Sequence, residues 1–297
     1  MKKVFVIGGV SYDMIIHLNE FPKPIPQTIH HCDSVIEAVG STGTGKAAAL
    51  AKLGFDVTLQ GLMGEDLYGE KVKGFCKEHN IQYMYDIDPK GTDRHVNIMN
   101  SCGQRISMFI AETSQEPDMD YTKYEKVIAE SDYVVLNIIN YCRHFIDIIK
   151  KHKKEIWCDL HDYNEGNSYH EDFIEAADYI FLSSDNLQDY KAVMTDFINR
   201  GKKLVVCTHG KEGVTALTTE GEWIDMPAML VDEVVDTNGA GDNFFSGFLY
   251  GYANDCAIEE CVKYGTAAGA MCVQSSELVH KDLSIPMLQK QIPIQSR

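Results

Sequence analysis

Positive charge is scarce in this 297-residue chain: 27 Lys and Arg stand against 44 Asp and Glu, a formal net charge of −17 at pH 7. A nucleic-acid backbone is held by lysines and arginines that displace condensed counterions, and a surface this acidic repels it unless the cations gather in one place. The densest run, Lys150-Lys151-His152-Lys153-Lys154, reads as the solvated end of a helix, where cations favour the C-terminal dipole. Nucleic acid is therefore not an expected partner. Long apolar runs are missing as well. No stretch approaches the ~18 residues that cross a bilayer, and Met1-Lys2-Lys3-Val4-Phe5-Val6-Ile7-Gly8-Gly9 turns to glycine too soon for a signal-peptide core. The expected address is the cytoplasm, with no membrane partner. Paired cysteines are lacking too: the nine form no Cys-x-x-Cys, and most lie in apolar stretches such as Val205-Val206-Cys207, where a thiol is a small buried hydrophobe. His30-His31-Cys32 gathers metal-ligating types in one dimension only, because adjacent side chains of an extended chain point to opposite faces.

What is present is ordinary globular usage, 44% hydrophobic and 24% charged. Apolar runs at residues 4–7, 57–59, 133–136, 156–158, 179–182 and 204–207 read as buried strands. Between them, residues 47–53, 68–79, 124–130, 145–152, 173–177 and 187–199 carry apolar positions at helical spacing. Such alternation predicts an α/β fold, a central mostly parallel sheet flanked by helices on both faces, formed as one domain over residues 1–297. Two excursions break the rhythm. Residues 14–38 pass Pro22, Pro24 and Pro26 into extended alternation, and residues 94–112 give two alternating strands around Ser101-Cys102-Gly103-Gln104. Together they predict a small antiparallel β lid.

Two glycine-rich loops stand out. Gly40-Ser41-Thr42-Gly43-Thr44-Gly45-Lys46-Ala47 matches the spacing of a P-loop, but Ala47 lacks the hydroxyl that coordinates Mg²⁺ there, so a P-loop NTPase is a minor alternative. Asp236-Thr237-Asn238-Gly239-Ala240-Gly241-Asp242 opens a helix whose apolar face is Phe244, Phe245, Phe248, Leu249 and Tyr252. Glycines let backbone N–H groups converge at a helix N-terminus, where the dipole favours an anion. Asp242 in that place is either a helix cap or a base beside a bound phosphate.

The same heptapeptide resembles the C-terminal signature of the ribokinase-like (PfkB) carbohydrate kinases, Asp-Thr-x-Gly-Ala-Gly-Asp. Other segments agree in order: Gly8-Gly9 with Asp13, the stretch from Gly40 to Leu50-Ala51-Lys52-Leu53-Gly54, the turn Gly61-Leu62-Met63-Gly64-Glu65-Asp66-Leu67-Tyr68-Gly69, and Thr208-His209-Gly210-Lys211-Glu212-Gly213. The likeness spans essentially the whole chain. It implies a ribokinase-like fold with a β lid and transfer of the γ-phosphoryl group of ATP, with Mg²⁺, to a hydroxyl of a sugar, polyol or nucleoside. It implies Asp242 as base, with the N–H groups of Gly239, Ala240 and Gly241 as the anion hole. For the substrate it implies Asp13 and the backbone of Gly40, Ser41, Thr42 and Gly45, with Asn97 and Asn137 as further polar candidates; for ATP, Ser184, Thr208, Gly210 and Gly213; for Mg²⁺, Asp185. Asp236 and Asn238 take the positions of a monovalent cation site, K⁺ in such kinases.

The sequence departs from the family where relatives carry Asn and Glu, with Gly45 and Leu187 in their places. Those losses put ribose or fructose recognition in doubt and keep two alternatives open. One is a nucleoside kinase with Tyr12, Phe109 or Tyr141 as stacking partners; the other is a catalytically weak ligand-binding relative. In the lid, His95, Asn97 and Arg105 face either the cleft or water, and Arg94 and Arg105 are candidates for an anionic acceptor. His161, after the strand at 156–158, either reaches the cleft or orders its own loop. Exposed lid edges invite pairing between two copies of the chain, so a homodimer is expected.

Overall fold

A run of valine, isoleucine and leucine without polar alternation must be covered on both faces, and this chain covers its strands by returning through helices. The computed structural model describes residues 1–30, 32–102 and 104–292; His31 of the His30-His31-Cys32 run and Gly103 of the lid turn lie outside the described residues. The first elements are β1 (Lys3–Ile7), β2 (Ser11–His17), β3 (Ser34–Gly40), α1 (Thr42–Lys52), β4 (Asp56–Met63), α2 (Leu67–Glu78) and β5 (Gln82–Ile87). Next come β6 (Arg94–Met99), β7 (Arg105–Ala111), α3 (Glu125–Glu130), β8 (Tyr133–Asn137), α4 (Ile146–Lys151), β9 (Ile156–Asp159), α5 (Glu171–Ala176) and β10 (Tyr179–Ser183). The C-terminal part adds α6 (Tyr190–Asn199), β11 (Leu204–Thr208), β12 (Val214–Thr218), β13 (Trp223–Met226), α7 (Ala240–Ala253), α8 (Ile258–Cys272) and α9 (Ile285–Gln291).

The main sheet has nine strands in the order β13-β12-β11-β10-β9-β8-β1-β4-β5. Every pairing from β11 across to β5 is parallel, and β12 and β13 close one edge antiparallel. Strand β1 shows why both faces are apolar: Val4 and Val6 enter one core cluster, while Phe5 and Ile7 enter the other. All six strands and six helices read from periodicity are present, most within a few residues of the expected bounds. Periodicity missed β5, β12 and β13. Strands β5 and β13 mix exposed and half-buried positions with no fully buried residue and so do not read as core, and β12, Val-Thr-Ala-Leu-Thr, is buried throughout on weak hydrophobes.

The lid is a separate sheet of order β3-β2-β6-β7. Its outer pairs are antiparallel, as expected of the lid, and the central pair, β2 with β6, is parallel. The cause is topological. Strands β2 and β6 follow β1 and β5, which run the same way in the main sheet, so both excursions leave it in one direction. Lid pairing also begins earlier than expected, at Ser11, and runs to Gly40.

Candidate active site

The floor of the cleft is built where α1 and α7 meet the ends of the parallel strands. After β1 the chain turns through Gly8 and Gly9, both at φ 81°, and the Gly9 carbonyl accepts the Thr44 N–H at 2.9 Å. A Cβ at Gly43 would stand 1.7 Å from the Gly8 carbonyl oxygen, so only glycine lets α1 dock there. Asn137 braces this corner: its Nδ2 donates to the carbonyls of Ile7 and Gly8, both at 3.0 Å, and its Oδ1 accepts from Thr42 Oγ1 at 3.2 Å. Expected among the substrate ligands, Asn137 is instead a buried strut, its amide engaged by backbone.

One residue further along α1 lies Gly45, and then Lys46. The Lys46 side chain is 0% exposed, with Nζ 2.5 Å from Asp242 Oδ1 and 3.0 Å from Asp159 Oδ2. Asp159, ending β9, also accepts the His161 N–H at 3.0 Å, and its Oδ2 lies 3.4 Å from His161 Nδ1. A charge taken out of water is costly unless paired, and here two carboxylates flank one ammonium. Burial would lower the Lys46 pKa, but Asp159 and Asp242 hold it up at about 12. Burial would raise Asp159, yet His161 and Lys46 beside it hold it below the usual carboxylate value. Asp242 goes the other way: burial raises it, and Lys46 offsets that only in part. A carboxylate shifted upward in a dry cleft suits a general base.

This arrangement removes the P-loop alternative. Lys46 is sealed between two carboxylates, with no face left for a nucleotide phosphate. At φ 54° His161 orders the loop after β9, and its Nδ1 lies 3.4 Å from Asp159 Oδ2.

The anion loop lies alongside. Gly239, left-handed at φ 78°, caps α7, and nothing lies within 4 Å of where a Cβ at Gly241 would project. The N-terminus of α7 is thus unobstructed at that position, as a phosphate group requires. Asn243 Nδ2 fastens the loop to the carbonyls of Gly239 and Leu278. Asp236 Oδ1 accepts the Asn238 N–H at 2.8 Å, with His17 Nε2 4.0 Å from its Oδ2. Asn238 Oδ1 accepts from Arg105 Nη1 at 2.7 Å. A guanidinium thus occupies the Asn238 oxygen, while Asp236 keeps Oδ2 clear of the backbone N–H held by its Oδ1.

The roof is the lid. Pairing of His95 with Phe109, Asn97 with Ser107 and Met99 with Arg105 puts these residues on one face, and the Arg105–Asn238 bond shows that this face looks into the cleft. Asp13 Oδ1 accepts the His95 N–H at 3.1 Å and lies 3.2 Å from His95 Nδ1, while its Oδ2 lies over Gly40, where a Cβ would stand 2.1 Å from it. Ser11 Oγ and His95 Nε2 are buried at this corner without a hydrogen-bond partner. Asn97 is 4% exposed and accepts from Ser107 Oγ at 2.6 Å, which ties the two lid strands together. Tyr12 and Tyr141, weighed as stacking partners, belong to the two cores; Phe109 alone of that trio is exposed, against the His95 ring at 4.1 Å.

The expected nucleotide residues lie at the ends of β10 and β11. The Ser184 N–H donates to the Thr208 carbonyl at 3.0 Å, and His209 bridges Ser184 Oγ and Thr215 Oγ1 at 2.9 and 3.0 Å. Gly210 begins a short 3₁₀ turn. Gly213, at φ 114°, would drive a Cβ to 2.1 Å from the Met226 carbonyl oxygen, so it shapes the turn into β12. Asp185 is exposed and accepts from Ser183 Oγ at 3.0 Å. Among the described residues no three His, Cys, Asp or Glu gather as a metal site.

Sequence reasoning missed Lys46 as a member of the Asp242 site, and Asp159 altogether. A signal existed: Lys46 leads the unbroken run Ala47-Ala48-Ala49-Leu50, and Asp159 ends a fully buried strand. A charged residue in either place implies a buried partner.

Comparison with known proteins agrees with this geometry. Acarbose 7(IV)-phosphotransferase of an Actinoplanes species is 30% identical over 275 residues, covering 90% of each chain. A nucleoside kinase of Methanocaldococcus jannaschii is 22% identical, over 93% of this chain and 91% of its own. The solved structure of a microbiome-derived acarbose kinase superposes with a TM-score of 0.88 at 27% identity, over 98% of both chains. The sequence profile of the pfkB family carbohydrate kinases matches residues 1–284, and with the anion loop, the buried Asp242 and the lid in place, the chain belongs to that family: it is an ATP-dependent kinase with a hydroxyl group as acceptor.

Proposed function

We propose that Asp242 is the base of this transfer and that the acceptor is an uncharged sugar held under the lid by Asp13. The observation that carries the reading is the position of Asp242: buried in the first turn of α7, beside the Gly239–Gly241 loop, with Oδ1 on Lys46. Magnesium-bound ATP supplies the phosphoryl group and the charge neutralisation that its transfer needs. The N–H groups at Gly239 and Gly241 would meet the developing negative charge, joined by that of Ala240 once it leaves the Thr237 carbonyl to which it donates at 3.3 Å. Asp242 Oδ2 takes the proton of the attacking hydroxyl. Asp13 Oδ2, with the unpartnered Ser11 Oγ and His95 Nε2, offers one acceptor and two further polar atoms to neighbouring hydroxyls, which is polyol chemistry. Thr208, Gly210 and Ser184 line the nucleotide side, with Gly213 shaping their turn and Asp185 supplying a carboxylate for Mg²⁺.

A formal net charge of −17 favours an uncharged acceptor over an anionic one; of the two lid arginines, Arg105 donates to Asn238, and Arg94 stacks on the Tyr68 ring at 3.8 Å with its Nε unpartnered. The nucleoside reading loses support with Tyr12 and Tyr141 buried in the cores. Sugars of the kind named for the acarbose kinases are the first to test. The nine free thiols fit a reducing cytoplasm. Two copies are expected to associate through the lid, whose edge strand β7 leaves Ile106, Met108 and Ile110 in water.

The test is sugar-stimulated ADP release from Mg·ATP over a panel of sugars, glycosides and nucleosides. Asp242→Asn should lower kcat by about 10³-fold, within the range of general-base contributions. A variant that keeps a tenth of the wild-type rate removes Asp242 as base, and stimulation by nucleosides alone removes the sugar reading.

A further inference from the structure

Asp242 is gripped from one side only. Lys46 Nζ holds Oδ1 at 2.5 Å, and Oδ2 points to Gly45, where a Cβ would stand 2.7 Å from it. The carboxylate therefore has a fixed oxygen and a presented one. Lys46 is itself fixed, because Asp159 Oδ2 takes it at 3.0 Å and the face of the Phe245 ring lies 5.4 Å from Nζ. Adjacent positions of α1 thus do two things: residue 45 leaves a gap and residue 46 fills the buried space with a cation.

We propose that Lys46 is a positioning residue for phosphoryl transfer, which fixes Asp242 through Oδ1, presents Oδ2 to the acceptor hydroxyl in the gap at Gly45, and is held in register by Asp159. The inference rests on the reading of Asp242 as base. Lys46 does not touch the acceptor, and it does not exchange a proton: the hydroxyl proton goes to Asp242 Oδ2 as the new O–P bond forms, and Lys46 keeps its own three. Its charge makes ionised Asp242 tolerable in a site that excludes water, while Asp159 keeps the cation from neutralising Asp242 so fully that it loses its basicity. The titratable groups around Asp242 are Lys46 from α1, Asp159 at the end of β9, His161 after it, and Cys272 from α8 with Asp236 at longer range.

Two substitutions give opposite signs. In Lys46→Met a cation is lost beside a buried carboxylate, so Asp242 ionises at higher pH, and the acid limb of the kcat/KM profile moves up. In Asp159→Asn an anion is lost, so Asp242 ionises at lower pH, and the limb moves down. Lys46→Met should also lower kcat by about 10²-fold while KM for sugar and ATP stays within about threefold, the pattern of a group that acts on the reacting geometry and not on binding. A purely structural lysine would lower the thermal midpoint and leave both limbs in place. Carboxyl-carbon NMR titration of Asp242 in wild type and both variants follows the same shifts without substrate, so failure to find an acceptor sugar is distinguishable from failure of this proposal. If Lys46→Met does not fold, Asp159→Asn decides alone. An unchanged acid limb and an unchanged Asp242 titration in the folded variants overturn it.

Discussion

The floor and the roof of the cleft are built on opposite principles. In the floor, Lys46, Asp159 and Asp242 are each less than 10% exposed, and the helix that carries Asp242 is pinned where its own Phe245 and Phe248 meet the rings of Trp157 and Phe181. In the roof, β7 is exposed over nearly its full length, and two polar contacts reach from the lid to the anion loop, Arg105 of β7 to Asn238 and His17 of β2 to Asp236. A close-packed interior transmits small displacements, so the floor sets the geometry of the reacting atoms. A sheet half in water can change its contacts without disturbing the core, so the roof decides what is held. One fold can thereby keep its chemistry and vary its acceptor.

If that division is right, substitutions in the two regions separate into KM and kcat effects. The larger is in the roof. Asp13→Ala removes a charged acceptor at a corner that holds two unpartnered polar atoms, and a lost charge-assisted bond of roughly 1.5–3 kcal/mol predicts a fall of about 10²-fold in kcat/KM. Steady-state kinetics should show most of this in KM for the sugar. A fall carried by kcat alone would make Asp13 part of the floor. The next is in the floor. Gly45→Ala puts a methyl 2.7 Å from Asp242 Oδ2, and with Oδ1 held by Lys46 the carboxylate can only turn away, so kcat should fall about tenfold with KM for ATP unchanged, while KM for the sugar rises because the methyl shares the gap with the acceptor hydroxyl. In the Lys46→Met background Gly45→Ala should cost less than its tenfold in wild type, which would show that the grip of Lys46 is what makes the methyl costly.

The sequence-to-structure gap follows the same line. The parallel sheet was legible because β1, β8, β9, β10 and β11 are short unbroken apolar runs, and the anion loop because Gly239, Ala240, Gly241 and Asp242 are contiguous. Proximity across the chain was not legible. Lys46 and Asp242 are 196 residues apart, and nothing local to either says that Asp159, from a third segment, completes the group. Asn137 misled for a related reason. Its place at the end of a buried strand is that of a ligand, yet the turn at Gly8 and Gly9 exposes carbonyls that claim its amide. The parallel β2–β6 pair depends on which way two distant excursions leave the main sheet, and alternation within a strand carries no information about direction.

The smallest effect expected on the rate is at the outer edge of the roof. Ile106, Met108 and Ile110 are 42%, 43% and 51% exposed along an edge strand, a row that sheets otherwise protect with charge or pairing. If two lids cover one another there, Ile110→Lys should turn a dimer into a monomer by light scattering at micromolar concentration. The site itself is complete within one copy, since Arg105 reaches Asn238 of its own chain and Asp13, Lys46 and Asp242 are all in place without a partner. The monomeric variant should therefore keep kcat/KM within about threefold of wild type. A monomeric wild type removes the dimer, and a dissociated variant that loses most of its kcat/KM through KM means that the partner holds the lid over the acceptor, so that the roof is shared between two chains while the floor belongs to one.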